Sequence, residues 1–304
     1  MSNFVVNNFV DEFNDNLMLL SQQKNARFRG AVMEGTHVGE SASVVDQLSE
    51  ATAQIRTTRH GSKPIIETVH SRRWVDPVDY DWGDVIDNED KLRLKIQLEG
   101  GYTRVGLAAI NRAMDDAVLD SFFVASKTGV RGADTTALPA AQVVAVDVGS
   151  SGDTQLNTDK LLFAREKLLA ADVDIEDPND QIYCAINALQ EHALLEQIKV
   201  GNADYNTPIF ASDETGRRRL SEWFGIKFIM TQRLNTDSNS DEEIPFWSKS
   251  GMHLGIWKDV FGDISQRFDL SRNPFHVTTG GTFGATRTEE AKVVKILCDP
   301  SAIS

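Results

Sequence analysis

The stretch that most limits what this chain can become runs from Gly100 to Phe123, GGYTRVGLAAINRAMDDAVLDSFF. Leu107, Ile110, Met114 and Val118 recur there at steps of three and four, with Ala109, Ala113, Ala117 and Ser121 beside them, which draws one apolar stripe along an α-helix. At 1.5 Å per residue such a helix is roughly 35 Å long, about the width of a small domain. Arg104, Arg112, Asp115, Asp116 and Asp120 are expected largely off the stripe. The small residues let another backbone come close, so the helix can act as a girder, with Leu107, Ile110, Met114 and Val118 as its core positions.

The rest of the chain has to supply what the girder holds. With 304 residues and 41% hydrophobic content there is enough apolar material for one large domain or two ordinary ones. Lys plus Arg less Asp plus Glu is 31 − 45 = −14, a balance that repels nucleic-acid phosphate and anionic membrane surfaces unless a local basic patch reverses the sign. Sequence-specific DNA binding is not expected. Cys184 and Cys298 are far apart, sit in apolar surroundings (IYCAI, KILCD) and have no Cys or His at metal-ligand spacing, so they read as buried free thiols of a reducing compartment. The start, MSNFVVNNFVDEF, is acidic, and no stretch has 18 consecutive apolar residues, so no membrane span is expected.

Along the chain, Phe9, Phe13, Leu17 and Leu20 predict an amphipathic helix over 8–26, followed by an extended, glycine-bearing arm to residue 50. Residues 51–85 carry two extended runs, AQIRTTR and IIETVHSRRWVDPVDYDW, joined by HGSKP, and read as a long hairpin. Arg56, Arg59, Lys63, Arg72 and Arg73 gather positive charge here in an otherwise acidic protein. A solvated basic face explains them; so does an arm that docks on an acidic neighbour. Beyond the long helix come a strand at QVVAVDV, a helix from Asn157 or Thr158 to Ala171, a strand at 181–186 and a helix over 188–200. A strand follows at 223–231, LNTDSNSDEEIP reads as an exposed acidic loop, and strands near PFHVTTGG and VVKILCD close the chain. There is no internal repeat and no regular βαβ alternation, which favours an α+β fold with segregated parts.

No motif with a built-in mechanism is present. GGTFGATR at 280–287 is not a dinucleotide fingerprint, no Walker sequence occurs, and GSSG at 149–152 is not a nucleophile elbow. The histidines at 37, 60, 70, 192, 253 and 276 are scattered, and Asp115 and Asp116 point apart on the helix. No catalytic, cofactor or metal site is expected.

In this order the pieces resemble the major capsid proteins of tailed bacteriophages, whose fold is named after phage Hong Kong 97. The carriers are the arm ending near QQKNARFRGAV, the hairpin with SRRWVDPVDYDW, and VIDNEDKLRLKIQLEGGYTRVGLAAINRAMDDAVLDSF, similar to the entry into that family's spine helix. INALQEHALLEQIKVGNADY, FGIKFIMTQRL, WSKSGMHLGIWKDVFGDI and GGTFGATRTEEAKVVKILCD complete the order. The resemblance implies an N-terminal arm (1–50), an E-loop β-hairpin (51–88), a P-domain with the spine helix (89–136), an A-domain (137–268) and P-domain return strands (269–304). It implies that Phe9, Phe13 and Leu17 of the arm, and Arg56, Arg59, Lys63, Arg72 and Arg73 of the E-loop, meet adjacent subunits.

As function it implies self-assembly as pentamers and hexamers into an icosahedral head around double-stranded DNA, in a virion assembled in the host bacterial cytoplasm. Expected partners are copies of the chain itself, a separate scaffolding protein, a portal protein, a possible decoration protein, and DNA enclosed without sequence-specific binding. No cofactor, no maturation cleavage and no covalent crosslinking through Lys63 are expected. An encapsulin-like compartment shell shares the expected fold, and a soluble α+β enzyme is the reading from another class.

Overall fold

The computed structural model describes residues 20–48, 51–59, 65, 67–87, 99–150, 152–174, 177–201, 210–212, 218–220 and 222–302. Its strands in the first half are β1 (Met33–Thr36), β2 (Ala42–Leu48), β3 (His70–Val75), β4 (Val78–Ile86), β5 (Ser126–Thr128), β6 (Asp134–Thr136) and β7 (Val143–Val144). The second half adds β8 (Ile182–Ile186), β9 (Phe210–Ser212), β10 (Arg218–Leu220), β11 (Glu222–Trp223), β12 (Ile226–Met230), β13 (Asn235–Thr236), β14 (Glu242–Ser248), β15 (Met252–Gln266), β16 (Phe275–Arg287) and β17 (Val293–Cys298). Helices span Glu99–Ser121, Thr158–Ala170 and Ala188–Gly201. The described residues fall into two compact units, 20–25 with 79–113 and 258–282, and 26–78 with 114–257 and 283–302.

In the first unit the opening turns of the long helix lie against side chains of β4 and β16. A Cβ at Gly106 would strike the Trp82 ring and come within 2.5 Å of Thr279 Oγ1, so glycine is what allows the close approach. Asn111 and Arg112 donate to the carbonyls of Lys24 and Gln23, both at 3.0 Å, which fastens the chain at 22–24 to the helix.

The second unit holds the main core. A seven-stranded sheet runs β11-β12-β8-β14-β17-β7, with β13 on β14. Leu161, Ala164 and Leu168 of the second helix and Leu194 of the third pack on Ile182, Cys184, Ile186, Ile226, Ile244, Phe246, Val294, Ile296 and Cys298. Each of these two helices starts on an asparagine cap, Asn157 accepting from Lys160 N at 2.7 Å and Asn187 from Gln190 N at 2.8 Å, as the residue types at those positions predict. Ile110, Met114 and Val118 are buried along the long helix and Leu107 half-buried, in agreement with the stripe.

Four expectations need correction. Residues 20–26 carry no helix, and the rest of the expected 8–26 helix lies outside the described residues. Residues 51–57 form no strand; β3 pairs instead with β2, from Ala42↔Val75 to Leu48↔His70, so the hairpin's first strand lies inside the segment read as arm. Glu242 to Pro245, read as exposed loop, belongs to β14, whose Ile244 and Phe246 are fully buried between β8 and β17. The two acidic residues mislead because β14 is an inner strand of the sheet, buried on both faces from Ile244 to Ser248, and only Glu242 and Glu243 at its start stay half exposed. Asp115 is fully buried, not off the stripe: its carboxylate accepts from Arg27 N at 2.9 Å and Phe28 N at 3.2 Å.

Candidate assembly interface

Two of the expected docking residues, Arg72 and Arg73, lie on β3 of the four-stranded sheet β2-β3-β5-β6 of the second unit. Strand alternation separates the two adjacent arginines of β3. Arg72 faces out, half exposed, and bridges Asp46 on β2 with Nε to Oδ1 at 2.5 Å. That guanidinium, hydrogen-bonded to the Asp46 carboxylate, holds it below its ordinary pKa. Arg73 faces in; it is 6% exposed and its Nη2 lies 2.6 Å from Glu290 Oε2. The expectation that Arg73 offers its charge to a neighbour is thereby corrected, since the charge is neutralised inside its own subunit.

Arg73 and Glu290 belong to a larger buried cluster that the sequence pattern did not mark. Arg287, the last residue of β16, is fully buried. It donates through Nη1 to Phe122 O at 2.6 Å and Val124 O at 3.2 Å, and through Nη2 to Thr136 O at 3.0 Å. Burial pushes its guanidinium below the ordinary value and Glu290 counters that shift. One side chain thus ties the end of the long helix to β6 and β16, with the planar fork of arginine suited to three carbonyls at once.

Beside the hairpin lies an open pocket of about 490 Å³ whose lining includes Asp46, His70, Arg72, Trp74, Val130 and Arg131. Trp74 Nε1 donates to Gly129 O at 2.8 Å, which steadies the following turn, where Arg131 holds a left-handed backbone at φ 57°. Large apolar side chains stand in water around this region: Ile55 is 90% exposed, Ile65 94% and Val130 82%, with Leu48 and Val69 also exposed. Arg56 is exposed and donates to nearby Thr58 O at 2.9 Å, and Arg59 is exposed. Lys63, Phe9, Phe13 and Leu17 lie outside the described residues.

Among the described residues no group of three or more His, Cys, Asp or Glu side chains is placed to hold a metal ion, and no helix is long and apolar enough to cross a membrane. Both cysteines are free and buried; burial pushes the Cys298 thiol up to about 12, although Lys160 Nζ, 3.7 Å away, pulls the other way.

A long helix, a hairpin of β2 and β3, and a helix-flanked mixed sheet are the elements of the Hong Kong 97-type capsid fold. Residues 5–300 match the model of the family described as phage capsid protein, and the chain belongs to that family. The cyanophage P-SCSP1u capsid is similar in structure, with a TM-score of 0.72 at 13% identity over 97% of this chain and 94% of that one. The Ralstonia phage GP4 capsid gives 0.67 at 13% over 97% of each chain, and the cyanophage Pam1 capsid 0.68 at 10% over 98% of each. No similar curated sequence was found. This is a major capsid protein, a component of the virion that associates with copies of itself. The comparisons lend no support to the compartment or enzyme readings.

Proposed function

We propose that this capsid protein assembles as pentamers and hexamers into the icosahedral head of a tailed phage, and that the segment between β2 and β3 lies across an adjacent subunit. The observation that carries this is the exposure of Leu48, Ile55, Ile65 and Val69 on or beside a stretch without strand or helix in residues 51–57. Burying a large aliphatic side chain gains about 1.5–3 kcal/mol, so four of them supply roughly 6–12 kcal/mol per subunit before the cost of ordering. A contact of this head-to-tail type repeats around an axis and closes rings and shells.

In this reading the projecting hairpin starts at Ala42 and returns through Val75, Arg56, Arg59, Lys63 and Arg72 meet carboxylates of the next subunit, and Phe9, Phe13 and Leu17 anchor the arm. Residues 89–136 and 269–304 form the P-domain and 137–268 the A-domain. A net charge of −14 fits a wall that double-stranded DNA must not adhere to. A scaffolding protein, a portal and a decoration protein are the further partners, and assembly takes place in the host bacterial cytoplasm.

Electron microscopy of the purified full-length chain tests the shell, with closed particles expected and a discrete small oligomer counting against it. Two charge reversals test the interface. Arg72→Glu lowers particle yield with only a small fall in melting temperature, because the pair with Asp46 that it turns into a repulsion is half exposed. Arg73→Glu loses the fold, because it sets a carboxylate against buried Glu290. Wild-type particle yield from Arg72→Glu refutes the docking of this face.

A further inference from the structure

Two glycines in register make room for an unusual contact. β1 runs parallel to β15 with Gly35 opposite Gly255. A Cβ on Gly35 would lie 2.8 Å from His253 Cε1, and one on Gly255 would lie 2.8 Å from His37 Cδ2 and 3.0 Å from Trp257 Cζ3. Into the space those side chains would take, the structure sets two imidazoles and an indole. His37 Nε2 meets His253 Nε2 at 2.9 Å, and the His37 and Trp257 ring centres are 5.3 Å apart. The same short stretch is held by His37 N donating to Ile256 O at 3.0 Å and Trp257 Nε1 to Gly39 O at 2.8 Å.

We propose that the His37–His253 pair is an acid-sensitive clasp that fixes residues 33–39 to β15 near neutral pH and releases them in mild acid. A nitrogen-to-nitrogen hydrogen bond requires one imidazole to donate and the other to accept. The contact therefore exists only while at least one of the facing nitrogens is bare. A second proton sets two N–H groups and two positive charges against each other at a distance where neither water nor a counter-charge fits between. Among the described residues no other ionised group relieves that. Glu34 on β1 is engaged by Arg29 and Gly30 N, Lys258 falls on the opposite face of β15 by alternation, and β3 presents only Val75 here. Lys249, in the turn packed on β1, and Glu40, further along the chain, act on neither ring.

Burial lowers the pKa of both histidines, that of His253 to about 4, with the charge of His37 as the second cause. The free-chain value is about 6.5. A group whose folded pKa is depressed in this way takes up its proton more readily when released, so the closed form is fully favoured above about 6.5 and loses ground as pH falls from there to about 4. For one proton the shift is up to about tenfold in the open fraction per pH unit in that window.

Backbone hydrogen exchange of the full-length chain, corrected for the intrinsic pH dependence of exchange, tests the clasp. The His37 amide is expected to lose protection by up to about tenfold per unit between pH 6.5 and 4, while amides of β8 and β17 keep theirs. His37→Gln and His253→Gln keep a hydrogen-bonding group that does not titrate, and each flattens the response. Unchanged protection in the wild type, or the same slope in both glutamine variants, overturns the proposal. Should a variant fail to fold, exchange at the imidazole C2–H of the wild type reports each histidine directly. Titration of His253 well below the ordinary imidazole value supports the clasp, and titration at or above it overturns it.

Discussion

Replacing Arg287 by methionine should cost this subunit a large part of its stability, although the site is far from any expected docking residue in sequence. Methionine fills much of the same volume and removes the fork that serves Phe122 O, Val124 O and Thr136 O. A buried acceptor left without a donor costs about 1–3 kcal/mol. Phe122 O bears the full penalty because its bond is buried, whereas the other two carbonyls are part-buried and recover some solvation. Glu290 keeps Arg73 and is not left as a lone charge. Removing the desolvation of a buried guanidinium works in the opposite direction. The net expectation is a loss of about 3–5 kcal/mol, against roughly 5–15 for a whole domain. At about 2–4 °C per kcal/mol this lowers the melting midpoint by about 6–20 °C. Calorimetry of purified particles, with circular dichroism of the full-length chain, reads it out. Arg287→Lys keeps the charge but reaches fewer carbonyls, and falls between wild type and Arg287→Met. If Arg287→Met melts within about 2 °C of wild type, the three carbonyls find other partners and the tie assigned to this residue is wrong.

Asp115→Ala strips the acceptor from Arg27 N and Phe28 N and should destabilise by about 3 kcal/mol, since hydrogen bonds to a charged group contribute about 1.5–3 each. Faster tryptic cleavage at Lys24, Arg27 and Arg29 is the readout, with Asp115→Asn milder because the amide oxygen still accepts; equal rates in all three proteins would refute the role. Neither Cys184 nor Cys298 should react with iodoacetamide at pH 8 in the native protein, and both should react after denaturation. With the Cys298 thiol near 12, only about one in ten thousand is ionised at that pH, and burial blocks access as well. Rapid native labelling of Cys298 would show that β17 opens far more easily than its place in the sheet allows.

What was legible in the chain follows from which signals are local. The spine helix and the two capped helices announce themselves because a 3.6-residue period and an asparagine before it are written in consecutive residues. Asp115 was misplaced although the pattern held a clue: with Val118, Leu119 and Phe122 it forms its own set at steps of three, four and seven, all buried. A carboxylate on such a face must find donors, and those come from residues 27 and 28, nearly ninety positions away in sequence, which no local period encodes. The strand pairing failed for a related reason. Two runs of β-forming residues flanking HGSKP look like one hairpin, but β3 has its register with 42–48, because there the alternate side chains Ala42 and Val75 are buried together.

The arginine pair of β3 shows why charge alone could not mark the interface. Arg72 and Arg73 are identical in type and adjacent in sequence, yet the pleat sends one to solvent and the other to Glu290 and Arg287. On its other edge β3 is held by β5, Arg73 opposite Thr128 and Trp74 opposite Lys127, so a one-residue slip of β2 would turn over the side chains of β2 and not the two arginines. The bulge between Ser43 and Val45 lies on β2, with Val44 as the extra residue, while Trp74, Arg73 and Arg72 follow one another without interruption on β3. Deleting Val44 removes that extra residue and leaves Ser43 opposite Trp74 and Val45 opposite Arg73 as consecutive pairs, so Arg73 keeps Glu290, Arg72 keeps its exposed face, and the chain should fold and form particles as the wild type does. Loss of folding in the Val44-deleted chain would show that the bulge on β2, and not the pleat of β3, keeps Arg73 against Glu290.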